Sequence, residues 1–389
     1  MQYRKFGKLE WMASALGFGC MRLPQVDQDM SHLDEDESIR IIRYGIDHGI
    51  NYVDTAAPYA MGNSEKVLGK ALGDGYRQKV KLATKLTPFF VNSPDEFKKF
   101  FDGQLERLQT DKIDLYMLHG MNKKCWDMFR EWKAIEFIEG LISKGLVDYI
   151  GFSFHDEFPV FKEIIDYYEG WDFCQIQYNY MDIERQAGIK GLKYAAEKGL
   201  AVVIMESLRG GLLTKRPPEA VSKIWDSAPV KRSLAEWGLM WLWNQPEISV
   251  ALSGMSNMQQ VVENLAIAVK SGVGKLGIEE QVIIEKVRAA YIGLTPVPCT
   301  GCRYCMPCPN NVAIPSIFEM YNECTMYDDF REGKMKYMGG IMGIEADQRA
   351  TSCVECGECI EKCPQGISIP EQLMKAHEKL YDPDFKLPF

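Results

Sequence analysis

The sequence predicts an α/β protein in two parts. Residues 1–293 read as a (β/α)8 TIM barrel, and residues 294–389 as a small, mainly α-helical, cysteine-rich domain. Three observations carry this. Short apolar stretches alternate with longer helical ones about eight times over the first part, the size and rhythm of a barrel. Ionisable residues stand where several of those stretches end. Eight of the twelve cysteines fall in two short runs near the C-terminus.

In order, the expected strands are Ala13–Phe18, Tyr52–Asp54, Val80–Lys85, Leu115–His119, Tyr149–Ser153, Phe173–Tyr178, Ala201–Met205 and Ser249–Ser253. Each is brief and mostly apolar, as suits a strand buried on both faces. Helical segments run between them: Glu35–His48, Ser64–Leu72, Asp95–Leu108, Trp132–Lys144, Phe158–Tyr167, Ile189–Lys198 and Val230–Trp243. A doubly wound sheet would alternate in the same way, and the residues at the strand ends favour the barrel. Thr295-Pro296-Val297-Pro298 then stiffens the chain like a short linker.

The first cysteine run is Cys299, Cys302, Cys305 and Cys308, followed by Pro309; the second is Cys353, Cys356, Cys359 and Cys363, followed by Pro364. Three thiolates two residues apart let one tight loop wrap three irons of a cubane. The fourth, ahead of proline, reaches the other cluster in two-cluster ferredoxins. The second run matches that pattern residue for residue. The first is one residue short before Cys308, so Cys324, between the runs, is an alternative ligand. Two [4Fe-4S] clusters are expected. Structural zinc is the competing assignment, although neither run contains a histidine. Residues 309–352 are too long for a compact hairpin and include the helical stretch Ile314–Glu323 and a turn at Gly339-Gly340. This spacing resembles the α-helical ferredoxins.

Composition sets limits. The chain is 46% hydrophobic and 25% charged, ordinary for a globular protein. A net charge of −9 leaves no basic stripe for phosphates, so no nucleic acid is expected. No apolar run is long enough to span a bilayer, so no membrane is expected either. Residues 299–389 hold 9 Lys and Arg against 14 Asp and Glu, an acidic balance suited to a basic electron-transfer protein. No signal peptide is expected at Met1, and reduced cysteines lead us to expect the cytoplasm.

Asp54, Tyr59, Lys85 and His119 fall at or just past the ends of the second, third and fourth strands. Catalytic groups of barrels collect there. A lysine ending an apolar strand needs a carboxylate, and Asp54 supplies one. Its ammonium beside a tyrosine hydroxyl favours the phenolate, so a lowered Tyr59 pKa is expected. His119 can then donate to a carbonyl oxygen and orient it.

The run from Asn51 to Tyr59, then Gly62-Asn63-Ser64-Glu65, Leu82 to Lys85, Leu118-His119 and Ile150 to Ser153, resembles the aldo-keto reductases over roughly residues 1–293. With the cysteine tail, the chain resembles members carrying a C-terminal ferredoxin-type domain. The resemblance implies hydride exchange between a nicotinamide and a carbonyl or alcohol substrate. Tyr59 would be the general acid, Lys85 and Asp54 its tuners, and His119 the orienting group. It also implies dinucleotide contacts from Met21, Ser153, Gln175, Met205, Leu208, Gln260, Glu263 and Asn264. Phe154 replaces the usual asparagine, Met205 a stacking aromatic, and Glu206 a small serine at the phosphates. Gly254 and Gln260 replace a lysine and an arginine at the 2′-phosphate. NADPH is expected from the family, with NADH or no tightly held dinucleotide as alternatives.

His155 and Arg22 also follow strand ends and are candidate pocket residues. Cys20, Cys125 and Cys174 read as core or loop thiols. Phe89, Phe90, Trp126, Phe129 and Trp225 suit an aromatic substrate or packing against the cluster domain. A nicotinamide exchanges two electrons and a cluster one. A direct relay would need a flavin or quinone, and no flavin segment is recognisable. The alternative is a non-catalytic electron-transfer or redox-sensing protein built on the barrel.

Overall fold

A computed structural model describes residues 1–27, 32–339 and 343–385, so Gly340 of the expected turn lies outside the described residues. The chain forms two compact units, one of residues 1–214 with 232–281 and one of residues 215–231 with 282–389.

In the first unit, strands β1 (Tyr3–Lys5) and β2 (Met12–Ser14) form an antiparallel hairpin. Eight parallel strands follow: β3 (Leu16–Gly19), β4 (Tyr52–Asp54), β5 (Lys81–Leu86), β6 (Ile113–Met121), β7 (Val147–Phe154), β8 (Phe173–Gln177), β9 (Ala201–Met205) and β10 (Ile248–Ser253). They close into a barrel in chain order, with β10 pairing back onto β3. The expected strand Ala13–Phe18 is therefore two elements. Met12–Ser14 pairs with the hairpin, and Leu16–Gly19 enters the barrel.

The helices in order are α1 (Glu35–Asp47), α2 (Ser64–Ala71), α3 (Phe97–Leu108), α4 (Lys123–Glu131), α5 (Ala134–Ser143), α6 (Phe158–Tyr167) and α7 (Gly188–Glu197). Then come α8 (Glu219–Asp226), which belongs to the second unit, α9 (Leu234–Trp243) and α10 (Met258–Lys270). The stretch expected as one helix from Trp132 begins earlier and is broken. Asn122 caps α4 by accepting from the Cys125 amide, and Lys133 adopts φ 54° before α5 starts.

Side chains alternate across a strand, so every second residue points into the barrel. Phe6, Tyr52, Ala83, Leu115, Met117, Phe173, Val203 and Val250 share one buried interior cluster. Two residues further along the same strands stand Asp54, Lys85, His119 and Gln175. The interior is thus apolar below and polar at the C-terminal ends. Emptying one position, as in Met117→Ala, would cost about 2–5 kcal/mol. Gly151 is required by close approach: a Cβ there would lie 2.6 Å from the Phe173 carbonyl oxygen.

In the second unit, which takes in α11 (Ile278–Gly293) from Val282 on, that helix precedes the first cysteine run. Between the runs lie α12 (Ile314–Tyr327) and α13 (Arg331–Tyr337), and α14 (Glu358–Glu361) and α15 (Ile369–Leu380) come after. Ile317, Phe318, Tyr337, Leu373, Ala376 and Leu380 are buried together, so helices rather than a sheet support the cysteine loops.

Candidate functional site

At the C-terminal end of the barrel the Lys85 ammonium is wholly buried. It donates to Asp54 Oδ1 at 2.7 Å and to the Thr55 carbonyl at 2.8 Å. The parallel register sets this meeting, with Asp54 beside Ala83 and Lys85 the next inward residue. Lys85 Nζ lies 4.9 Å from the centre of the Tyr59 ring, close enough for its charge to act on the phenol. Gln175 Nε2 donates to the other Asp54 oxygen at 3.3 Å. His119 meets Tyr59 edge-on, ring centres 6.1 Å apart. The four residues singled out in the sequence are therefore one cluster.

His119 sits in a bulge. Leu118 pairs with Phe152 and Met121 with Phe154, so β6 carries one residue more than β7. Gly120 supplies the turn with φ 66°, and its amide donates to Ser153 Oγ at 2.8 Å. Thr87 Oγ1 lies 2.9 Å from His119 Nδ1. With Thr87 donating, Nδ1 is the acceptor and the ring proton resides on Nε2. Thr87 was absent from the expected residues, yet its spacing of two from Lys85 was the available signal.

Burial pulls the Lys85 ammonium down, and Asp54 and Tyr59 outweigh it, leaving Lys85 above the ordinary lysine value. Burial likewise depresses His119 well below the ordinary histidine value, helped by Lys85 and His155. The imidazole is neutral at pH 7. Tyr59 departs from expectation. Burial raises its phenol, Lys85 lowers it as foreseen, and burial prevails, so Tyr59 ends above the ordinary tyrosine value.

The expected dinucleotide residues are distributed over adjoining strand ends. Ser153 and Gln175 are buried neighbours in register on β7 and β8. Ser153 keeps its hydroxyl proton and Gln175 its carbonyl, the two functions an amide ligand needs. The nicotinamide end thus fits the residues present. Met21 is exposed, Met205 and Leu208 are half-buried, and Glu263 lies on α10. Asn264 donates to Ser253 Oγ at 3.0 Å. Gln260 is engaged locally, its Oε1 accepting from the Ser256 amide at 2.8 Å. Arg22 pairs with Glu206 at 3.3 Å, and its stem passes over Gly254. Trp126 and Phe129 are core residues of this unit, against Tyr167 and Phe97, whereas Phe89 is exposed.

In the second unit, one cavity is lined by Cys308, Cys353, Cys356 and Cys359, and another by Cys299, Cys302 and Cys363; Cys305 lines both. Each run thus sends its last cysteine to the other run's cavity. After burial, the neighbouring sulfurs raise Cys299 and Cys359, with Cys363 acting on the former and Cys308 on the latter. Cys324 is buried on α12, where a Cβ at Gly333 would meet its sulfur at 2.2 Å. Five thiols around one cavity and four around the other, with Cys305 shared, form a donor set that fits iron–sulfur clusters.

Among the described residues no helix is long and apolar enough to cross a membrane. A model of the aldo/keto reductase family matches residues 15–271, and a 4Fe-4S dicluster domain matches residues 298–367. The chain is 32% identical over 234 residues to the uncharacterized oxidoreductase YrpG of Bacillus subtilis, covering 55% of this chain and 68% of that one. It is 27% identical over 303 residues to L-galactose dehydrogenase of Arabidopsis thaliana, covering 73% and 93% respectively. The holo form of aldo-keto reductase AKR11C1 from Bacillus halodurans superimposes with a TM-score of 0.62 at 31% identity, over 74% of this chain and 96% of its own. With an eight-stranded closed barrel and a family match through nearly all of it, the chain belongs to the aldo/keto reductase family, an oxidoreductase carrying a C-terminal 4Fe-4S dicluster domain.

Proposed function

We propose that the barrel interconverts a carbonyl compound and its alcohol with a nicotinamide dinucleotide, and that the cysteine cavities hold two [4Fe-4S] clusters. The Lys85 ammonium between Asp54 and Tyr59, beside a neutral His119, carries this proposal. When bound, a reduced nicotinamide supplies hydride. Ser153 and Gln175 would hold its amide, with Met21, Met205, Leu208, Gln260, Glu263 and Asn264 along the remainder. The chain's own residues manage the proton. His119 Nε2–H donates to the carbonyl oxygen and fixes its direction. Tyr59, kept protonated by burial, hands its proton to that oxygen as negative charge develops. Lys85 stabilises the phenolate left behind, and Asp54 keeps Lys85 charged and in place. Reversal runs the same proton path.

Tyr59→Phe tests the assignment, because it removes the acid and keeps the ring. Carbonyl turnover in the variant equal to that of the parent would refute it. For the clusters, about eight iron and eight labile sulfide per chain are expected after anaerobic purification, and stoichiometric zinc would refute them. A reducing cytoplasm and a single-electron protein partner follow from clusters of this kind. NADPH is the dinucleotide of choice on family grounds. The Arg22–Glu206 pair and the occupied Gln260 side chain favour a second proposal, in which dinucleotide binding is weak and the clusters serve an electron-transfer or sensing partner. An anaerobic titration separates the two. Bleaching of the clusters by NADPH or NADH would join them to the barrel, and bleaching by dithionite alone would assign them to a separate partner.

A further inference from the structure

His155 has no task in the mechanism above. It stands one residue past β7, and its amide donates to the Met121 carbonyl at 2.8 Å, holding it against the end of β6. That is the strand end that carries His119. The two imidazoles therefore arise from neighbouring strand ends on the same rim, His155 two residues beyond Ser153, which stands opposite the His119 bulge. His155 is within electrostatic reach of Lys85, and His119 of His155.

The two imidazoles differ in one respect. His119 has its Nδ1 engaged by Thr87. The His155 ring makes no hydrogen bond among the described residues, and its side chain is half-buried. Its ring nitrogens are therefore available to a ligand at the strand ends. Burial first, then the charges of Arg185 and Lys85, hold it down to about 4, so it is neutral at pH 7. A neutral imidazole presents one donor and one acceptor, the complement of a hydroxyl. Phe154, beside it, is wholly buried and supplies no competing polar atom.

We infer that His155 is a specificity-determining residue that hydrogen-bonds a second oxygen of the substrate while His119 and Tyr59 engage the carbonyl oxygen. The substrate class is then a carbonyl compound oxygenated on the next or next-but-one carbon, rather than a simple aldehyde or ketone. The inference rests on the carbonyl chemistry proposed above. Their origin on adjoining strand ends, within electrostatic reach of each other, is what lets the two rings address two oxygens of one small substrate.

The test is a matched series of three-carbon aldehydes assayed with the full-length protein: propanal, 2-hydroxypropanal, 3-hydroxypropanal and 2-oxopropanal. At least one oxygenated member should exceed propanal in kcat/KM by roughly tenfold, mainly through KM, the effect of one hydrogen bond in a desolvated site. The preferred member tells a hydroxyl from a carbonyl and the next carbon from the one beyond. His155→Phe should collapse that ratio to about one, and His155→Gln, which keeps a donor and an acceptor, should restore part of it. A merely structural role would alter all four aldehydes together and leave the ratio intact. An unchanged ratio in His155→Phe, or no preference in the parent protein, overturns the inference while leaving Tyr59-dependent turnover standing. If none of the four is reduced, the proposed chemistry falls instead. The inference is then read from ligand-observed NMR binding of 2-hydroxypropanal and propanal to the Tyr59→Phe protein. Equal binding overturns it, and preferential binding lost in a Tyr59→Phe/His155→Phe double variant upholds it.

Discussion

Removing the charge from Lys85 tests the centre of the site and the physics that holds it. The ammonium and the Asp54 carboxylate are 2.7 Å apart with side chains 0% and 3% exposed, so neither has water as an alternative partner. Lys85→Met keeps the stem and leaves the carboxylate buried without its counter-charge. Breaking a pair of this kind costs about 3–5 kcal/mol. Adding Asp54→Asn removes the stranded charge, so the double variant should recover to within about 1–2 kcal/mol of the parent. Denaturant unfolding followed by tryptophan fluorescence is the assay. Seven of the eight tryptophans lie in the barrel unit, Trp225 being the other, so the signal reports mainly the barrel. Both variants should lose carbonyl turnover, because Tyr59 loses the cation that stabilises its phenolate. A single variant that costs less than about 1 kcal/mol would refute the buried pair. A double variant as unstable as the single would show that Asp54 is not the group left stranded.

Cys308→Ser should lose about four of the eight irons or leave one cluster labile, whereas Cys324→Ser should keep the full complement; iron analysis and EPR distinguish them. Thr87→Val should lower kcat about tenfold with little change in KM, by freeing His119 to place its proton on Nδ1, and Thr87→Ser should restore it. His155, at about 4 in the folded chain against 6.5 unfolded, takes up its proton first when unfolded. Its contribution to stability is therefore complete above pH 6.5 and is lost as pH falls toward 4. Between pH 7.5 and 5 this amounts to about 2 kcal/mol, measurable by denaturation at the two values and absent from His155→Gln. Because Tyr59 lies above the ordinary tyrosine value, carbonyl reduction should be insensitive to its ionisation through neutral pH and fall only in strong alkali, which a pH–rate profile checks.

The candidate site was legible where chemistry is local. A lysine at the end of an apolar strand announces a buried partner, and Asp54 at the end of the preceding strand is the nearest. The cysteine runs were legible for the same reason, since thiolate spacing is a loop property. Where propensity and capping compete, the sequence was less clear. Ala13–Phe18 reads as one apolar stretch, but Ser14 and Leu16 sit in different sheets because the chain turns from a hairpin into the barrel between them. The helix break at Lys133 depends on a left-handed residue with no glycine to mark it.

By itself the sequence determined the alternation of strands and helices, the four polar residues at the strand ends and the two thiol runs, because each is written in spacing along the chain. Only the tertiary structure decided the rest. Barrel closure depends on β10 finding β3, a pairing between distant residues. The exchange of Cys308 and Cys363 between cavities depends on how helices bring two loops together. The upward direction at Tyr59 depends on how much water its surroundings exclude, which balances against the nearby ammonium. That the His155 ring has no hydrogen-bond partner among the described residues depends on which neighbours fail to reach it. Desolvation and long-range pairing are sums over the folded surroundings, and no local stretch of sequence contains them.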